Sequence, residues 1–366
     1  MSEIQTIPET IASNPDSSCL NSISKAQSAI QSLSPILGPL PPSLSSSDNP
    51  PFSLLHDPHL ASAISSHLRQ PNSGAGDNNL CRWLYDTFQS SDPNLQLVVL
   101  RFLPIIAGIY LSRAAFRKPL AGFEAVLLAL YAHETTSRGG QSITVHIPDL
   151  SHSSLYHESK VPIKNNATGL NLAVISPSLE PLGTVRSTKR ARIVGVALEL
   201  YYSKISLMPI GSKIDFCEFC VIWAGQDGEM FNWGEAHEKE DSSKLSEQGN
   251  GDGEESVCSS EVVMGNRSVG EECEEKGGRI PLPWELLQPV LRVLGHCLMG
   301  PTESKELNGA AWAACRSLYA RALHDVNPQA ILATGSLLKL GKMAAESNGD
   351  SDPSEILDSK SLVITL

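Results

Sequence analysis

Apolar residues recur at helical spacing over most of the chain between residues 53 and 342, broken at intervals by Pro, Gly and Asn. "SLLHDPHLASAISSHL" (Ser53–Leu68) predicts a first amphipathic helix. A clearer one follows at Asn79–Ser90, where Leu80, Trp83, Leu84 and Phe88 share a face and Asn79 stands as the N-cap. Ser91-Asp92-Pro93 is a stop-and-restart signal, with Asp92 capping and Pro93 at the first helical position. "LQLVVLRFLPIIAGIYL" is apolar on nearly all sides and predicts a central helix over Leu95–Arg113, bent at Pro104. Gly122–His133 predicts another buried helix.

The pattern changes after Arg138-Gly139-Gly140. Ile143, Val145 and Ile147 alternate with Ser142, Thr144 and His146, a period of two that marks a strand ending at Pro148. "GLNLAVIS" (Gly169–Ser176) is a second short strand. Helical spacing then returns in "TVRSTKRARIVGVALELYYSKISLMP" and "GSKIDFCEFCVIWAG". Beyond an acidic stretch it returns again in "PWELLQPVLRVLGHCLMG", "NGAAWAACRSLYARALH" and "NPQAILATGSLLKLGK". The fold class is therefore mainly α, an irregular multi-helix domain with a small β element near residues 142–176.

Composition divides the chain. Residues 1–50 are rich in Ser, Pro and Asn and read as a disordered N-terminus. Residues 53–233 form the helical core with its short strands, 234–278 an acidic disordered linker, 280–342 C-terminal helices completing the same domain, and 343–366 a flexible tail. Within 235–278 there are 13 acidic and 4 basic side chains, a balance of −9 against −12 for the whole chain. The acidity thus belongs to one segment, and gives no reason to expect nucleic acid as a partner. Eight irregularly spaced cysteines, with no basic-plus-apolar N-terminal signal, point to a reducing compartment. Leu95–Leu111 is 17 residues long and mostly apolar, at the short limit for a membrane span, and Pro104 lies inside it. A bilayer-centred Arg101 would cost ~2.5–3.5 kcal/mol. Buried helices of a soluble core fit this run better.

Candidate chemistry is sparse. The chain contains no phosphate-binding loop, kinase element, nucleophile elbow or H-E-x-x-H pair. His146, His152 and His157 fall within twelve residues beside Asp149 and Glu158, which raises a metal-dependent enzyme as one reading. Against it, His146 is on an alternating strand and the other two histidines are in loop. Cys217-Glu-Phe-Cys220 would be half a zinc site, yet it is set among Phe216, Phe219, Val221 and Ile222 and reads as helix packing. Arg186, Lys189, Arg190 and Arg192 precede an amphipathic helix and offer a contact with an anionic surface, each worth roughly 1 kcal/mol at a membrane.

The order of five segments is more informative than any one of them. "LQLVVLRFLPIIAGIYL", "GFEAVLLALYAHE", "VHIPDLSHSSLYHE", "LEPLG" and "LMPIGSKIDFCEFC" occur in sequence, and the series resembles the hyccin family, in a compact plant-type form. The family pattern includes Pro104, Glu124, Pro148, Tyr156, His157, Glu158, Cys217 and Cys220, all expected to be structural. Residues 1–50 and the acidic insertion depart from it, and the long tail of animal members has no counterpart here. The resemblance implies a subunit without catalytic, cofactor or metal residues. It implies binding to a tetratricopeptide-repeat scaffold and, through it, to the type III alpha phosphatidylinositol 4-kinase. It also implies recruitment by a membrane-anchored adaptor to the cytoplasmic face of the plasma membrane from the cytosol. The alternatives are the histidine-based metalloenzyme and a peripheral lipid-binding protein acting through Arg186–Arg192.

Overall fold

Proline and short polar caps cut the chain into helices. In the computed structural model, which describes residues 15–41, 44, 46–114, 120–148, 170–179, 189–225, 282–300 and 304–347, the first seven are α1 (Pro15–Leu37), α2 (Pro50–His56), α3 (Pro58–Arg69), α4 (Asn79–Gln89), α5 (Pro93–Arg101), α6 (Leu103–Ala114) and α7 (Ala121–Arg138). Strands β1 (Ile143–Pro148) and β2 (Leu170–Ser176) follow. Then come α8 (Arg190–Ser203), α9 (Ile210–Ala224), α10 (Trp284–Met299), α11 (Lys305–His324) and α12 (Pro328–Ser347). The mainly α class with one small antiparallel sheet is what the spacing predicts.

Several boundaries move, each for a local reason. The single helix expected over Ser53–Leu68 is two, because Asp57 precedes Pro58 and is pushed into extended backbone (φ −64°, ψ 118°). Its side chain then caps α3 by accepting from the Leu60 N–H at 2.7 Å. The cap of α4 is Asn78 rather than Asn79, its Oδ1 accepting from Cys81 N–H at 3.0 Å. Asp92 and Pro93 open α5 as expected, with Asp92 accepting from the N–H groups of Asn94 and Leu95. The Leu95–Arg113 helix breaks at Phe102 into α5 and α6, which diverge by 46°. Pro104 has no N–H to return to Leu100, and its ring crowds that carbonyl, so the break falls before the proline. No single helix among the described residues is long and apolar enough to cross a membrane; the bent α5–α6 pair passes by length and composition alone. Val98, Val99, Leu103, Ile106 and Ala107 of that pair are fully enclosed by the rest of the chain.

Residues 1–50 depart most from expectation. Instead of being disordered throughout, they contain α1, which places Ala26, Ile30 and Leu33 in the core against α2 and α4. The Trp83 indole N–H donates to Ala29 O at 2.9 Å and the Lys25 ammonium to Ser90 O at 2.9 Å.

Elements distant in sequence share one core. α9 packs on α6 and α11, α8 on α7 and α10, and α12 closes over α10 and α11. The α8–α10 crossing is close: a Cβ at Gly195 would lie 2.6 Å from Glu285 O. Several polar groups inside are paired across elements. The carbonyl of Arg101, at the α5–α6 break, accepts from the Ser212 hydroxyl at 2.7 Å, and Ser212 pairs with the Tyr201 hydroxyl at 3.0 Å. The Arg101 guanidinium donates to Leu55 O.

The β ribbon behaves differently. Thr144 pairs with Val174, Val145 with Ala173 and His146 with Leu172. The two-residue alternation is present but buries no face on the helices: Leu172 is 60% exposed, and Val145 and Val174 are exposed too. Among the described residues the ribbon is held at its base, by Leu179 N–H to Gly140 O at 2.8 Å and by buried Ser176.

Candidate functional site

Among the described residues the sequence candidates are not brought to one place. His146 is exposed on β1, while His152, Tyr156, His157 and Glu158 lie outside the described residues, as does Arg186. Among the described residues no group of three or more His, Cys, Asp or Glu side chains is placed to hold a metal ion. Pro104 is buried in the first turn of α6, and Pro148 closes β1 opposite Leu170. Glu124 on α7 accepts from the Tyr110 hydroxyl at 3.0 Å and faces Arg190 at 3.8 Å, tying α6, α7 and α8 together. Burial first, then the Glu124 charge and hydrogen bond, push the Tyr110 hydroxyl up to about 12. Arg192 donates to Ser178 O at 2.6 Å. Two members of the basic cluster therefore have partners within the chain.

Cys217 and Cys220 are enclosed in α9, and Cys297 of α10 and Cys315 of α11 are buried near them. The Cys217 thiol donates to Cys297, which raises the pKa of Cys217 and lowers that of Cys297. Burial raises Cys220. A reactive thiol needs access as well as a low pKa, so this cluster reads as packing. Lys213, beside it, is buried with its ammonium 3.4 Å from His296 Nε2; burial lowers both pKa values.

A buried ionic junction went unforeseen. Glu199 of α8 receives Arg138 of α7 at 3.1 Å, the Ser176 hydroxyl at 2.6 Å and Arg292 of α10 at 3.7 Å. Arg138 also pairs with Glu134 at 2.9 Å and donates to Ser176 at 2.6 Å. Arg292 lies over the Tyr202 ring, 5.0 Å from its centre. Burial pushes the Glu199 carboxyl up against the pull of Ser176, Arg138 and Arg292. The junction fastens the ribbon's base to three helices, a structural task.

With the polar clusters engaged in holding the fold, the remaining unexplained features are apolar and external. Ile222 of α9 is 70% exposed beside a shallow groove of ≈ 120 Å³ between α6 and α9, rimmed by Arg69, Asp215 and Glu218. Leu172 and Val174 stand on the ribbon, and Leu332, Leu340 and Met343 on the outer side of α12. Isolated exposed apolar residues are ordinary; several on one element mark a contact surface.

The described residues thus make a mainly helical domain with a braced interior and apolar side chains on its outer faces. A family model of hyccin matches residues 45–360. That is most of the chain, and the chain belongs to the hyccin family.

Proposed function

We propose that this chain is a non-catalytic subunit of a plasma-membrane phosphatidylinositol 4-kinase complex of the type III alpha class. In this reading it binds a tetratricopeptide-repeat scaffold and stabilises the assembly that makes phosphatidylinositol 4-phosphate. A membrane-anchored adaptor brings the assembly to the cytoplasmic face of the plasma membrane, so the chain is peripheral and moves between cytosol and membrane. The family match over residues 45–360 carries the proposal, because the hyccin family is known as a component of that kinase complex. The exposed apolar side chains on α9, the ribbon and α12 support it, since a subunit of an assembly keeps such surfaces for its partners.

The test is affinity purification of the full chain from cells, with identification of the chains that accompany it. Recovery of a lipid kinase and a helical-repeat scaffold is expected. A monodisperse chain recovered alone, whose melting temperature does not change on co-expression with the scaffold, would overturn the reading.

A further inference from the structure

We infer that the outer face of α12 is the seam on which an acidic α-helix of the scaffold docks. The inference rests on the scaffold reading above and assigns its contact surface.

The two sides of α12 carry separate patterns. Ala330, Thr334, Leu338 and Gly341 face inward and are buried, with Gly341 against Trp312 and Leu298. Gln329, Leu332, Ser336, Lys339 and Met343 are all exposed, and their steps of three, four, three and four residues form one line along the helix. Leu340 flanks that line, and Leu332 is 68% exposed. The exposed apolar side chains of this face are Leu332, Leu340 and Met343, eight and three residues apart with Ser336 between the first two, a narrow stripe of the width along which one helix packs on another. Each exposed Leu or Met there forgoes the stabilisation that burial against a partner would bring.

Charge selects the occupant. Between residues 328 and 345 the chain has two lysines, Lys339 and Lys342, and no acid, in a protein of net charge −12. Lys339 is on the seam itself, between Leu332 and Met343, rather than on its flank. A helix that lies on a bilayer keeps its lysines at the edge of a wide apolar face. Here membrane insertion would bury the Lys339 ammonium and the Ser336 hydroxyl. A partner helix meets both needs with a carboxylate opposite Lys339 and small or aliphatic residues on either side, in the way a polar residue at one core position sets register in a coiled coil.

The corner that presents α12 has a related feature. Val326, between α11 and α12, is 77% exposed and held at φ +49°, a region costly for a β-branched residue. Backbone strain on this scale gathers at clamps and contact sites.

The experiment compares the full-length chain with Leu332→Asp/Met343→Asp, Lys339→Glu and Lys339→Arg. Each is co-expressed with the tetratricopeptide scaffold, and binding to that scaffold and to phosphatidylserine vesicles is measured alongside thermal melting. The double variant and Lys339→Glu are expected to melt as the parent does and to lose at least tenfold in scaffold affinity, while Lys339→Arg retains it. If the double variant does not fold, Lys339→Glu decides, being a single exposed charge. Parental affinity in Lys339→Glu would overturn the seam and leave the functional reading standing. A parent chain that does not bind the scaffold would overturn the functional reading and the seam with it. Vesicle binding lost in the double variant, with scaffold binding untouched, would reassign α12 to a lipid surface and overturn the seam.

Discussion

Where α10 crosses α8, backbone meets backbone over Gly195 and the buried carboxylate has its counterparts: Glu199 lies between Arg138 and Arg292. On the outside of α12 the relation is inverted, with Leu332 and Met343 in solvent around a lone central lysine. The first region has its partners within the chain; the second has the shape and charge of half a contact. In this molecule buried polar chemistry therefore reports on architecture, and exposed apolar chemistry reports on what the chain meets. That order reverses the habit of looking for function in clusters of titratable groups.

The comparison can be broken at either end. Glu199→Ala removes the acid shared by Arg138, Ser176 and Arg292 and is expected to cost about 3–5 kcal/mol in denaturant unfolding. A loss under about 1 kcal/mol would show that Glu134 alone satisfies Arg138. Gly195→Val drives a side chain into Glu285 O and is expected to cost about 1–3 kcal/mol, with loosening of α10 visible in hydrogen exchange. Val326→Gly should act in the opposite direction, relieving the positive φ and stabilising by about 1 kcal/mol, read as a rise in melting temperature. The seam variants Leu332→Asp and Met343→Asp should each change stability by no more than about 0.5 kcal/mol. The smallest effect is in pH dependence. Burial, then Lys213, holds the His296 pKa below 6.5, so between that depressed value and 6.5 the unfolded chain binds more protons than the folded one. Stability from this group is complete above pH 6.5 and declines as pH falls through the folded pKa. In His296→Asn the decline below pH 6.5 should be shallower.

Much of the helical order is legible in the sequence because its punctuation is chemical. Asp92-Pro93 and the Gly139 turn that ends α7 act within a few residues, so local reading finds them. The ribbon's register follows from alternation, but its exposure does not, since alternation states a period and not what covers each side. α1 was hidden because Ala26, Ile30 and Leu33 are three apolar positions among serines, and only Trp83 and α2 give them a partner. The Glu199 junction joins residues 23 and 61 positions apart, a distance no window of helical periodicity spans. α12 is apolar around most of its circumference, so which side meets solvent depended on where α10 and α11 pack. The histidines illustrate the converse: closeness along the chain suggested a site, and His146 alone falls among the described residues, on an exposed strand.

The position of α1 has a consequence for how relatives are aligned and compared. The hyccin match begins at residue 45, whereas the core begins with Ala26. Homology and fold thus have different borders here, about one helix apart. A chain trimmed at residue 45 would keep every residue that the family model matches and still lose the cover over Trp83, whose fluorescence would move to the red. A relative without this helix would have to close the same face of α4 with something else.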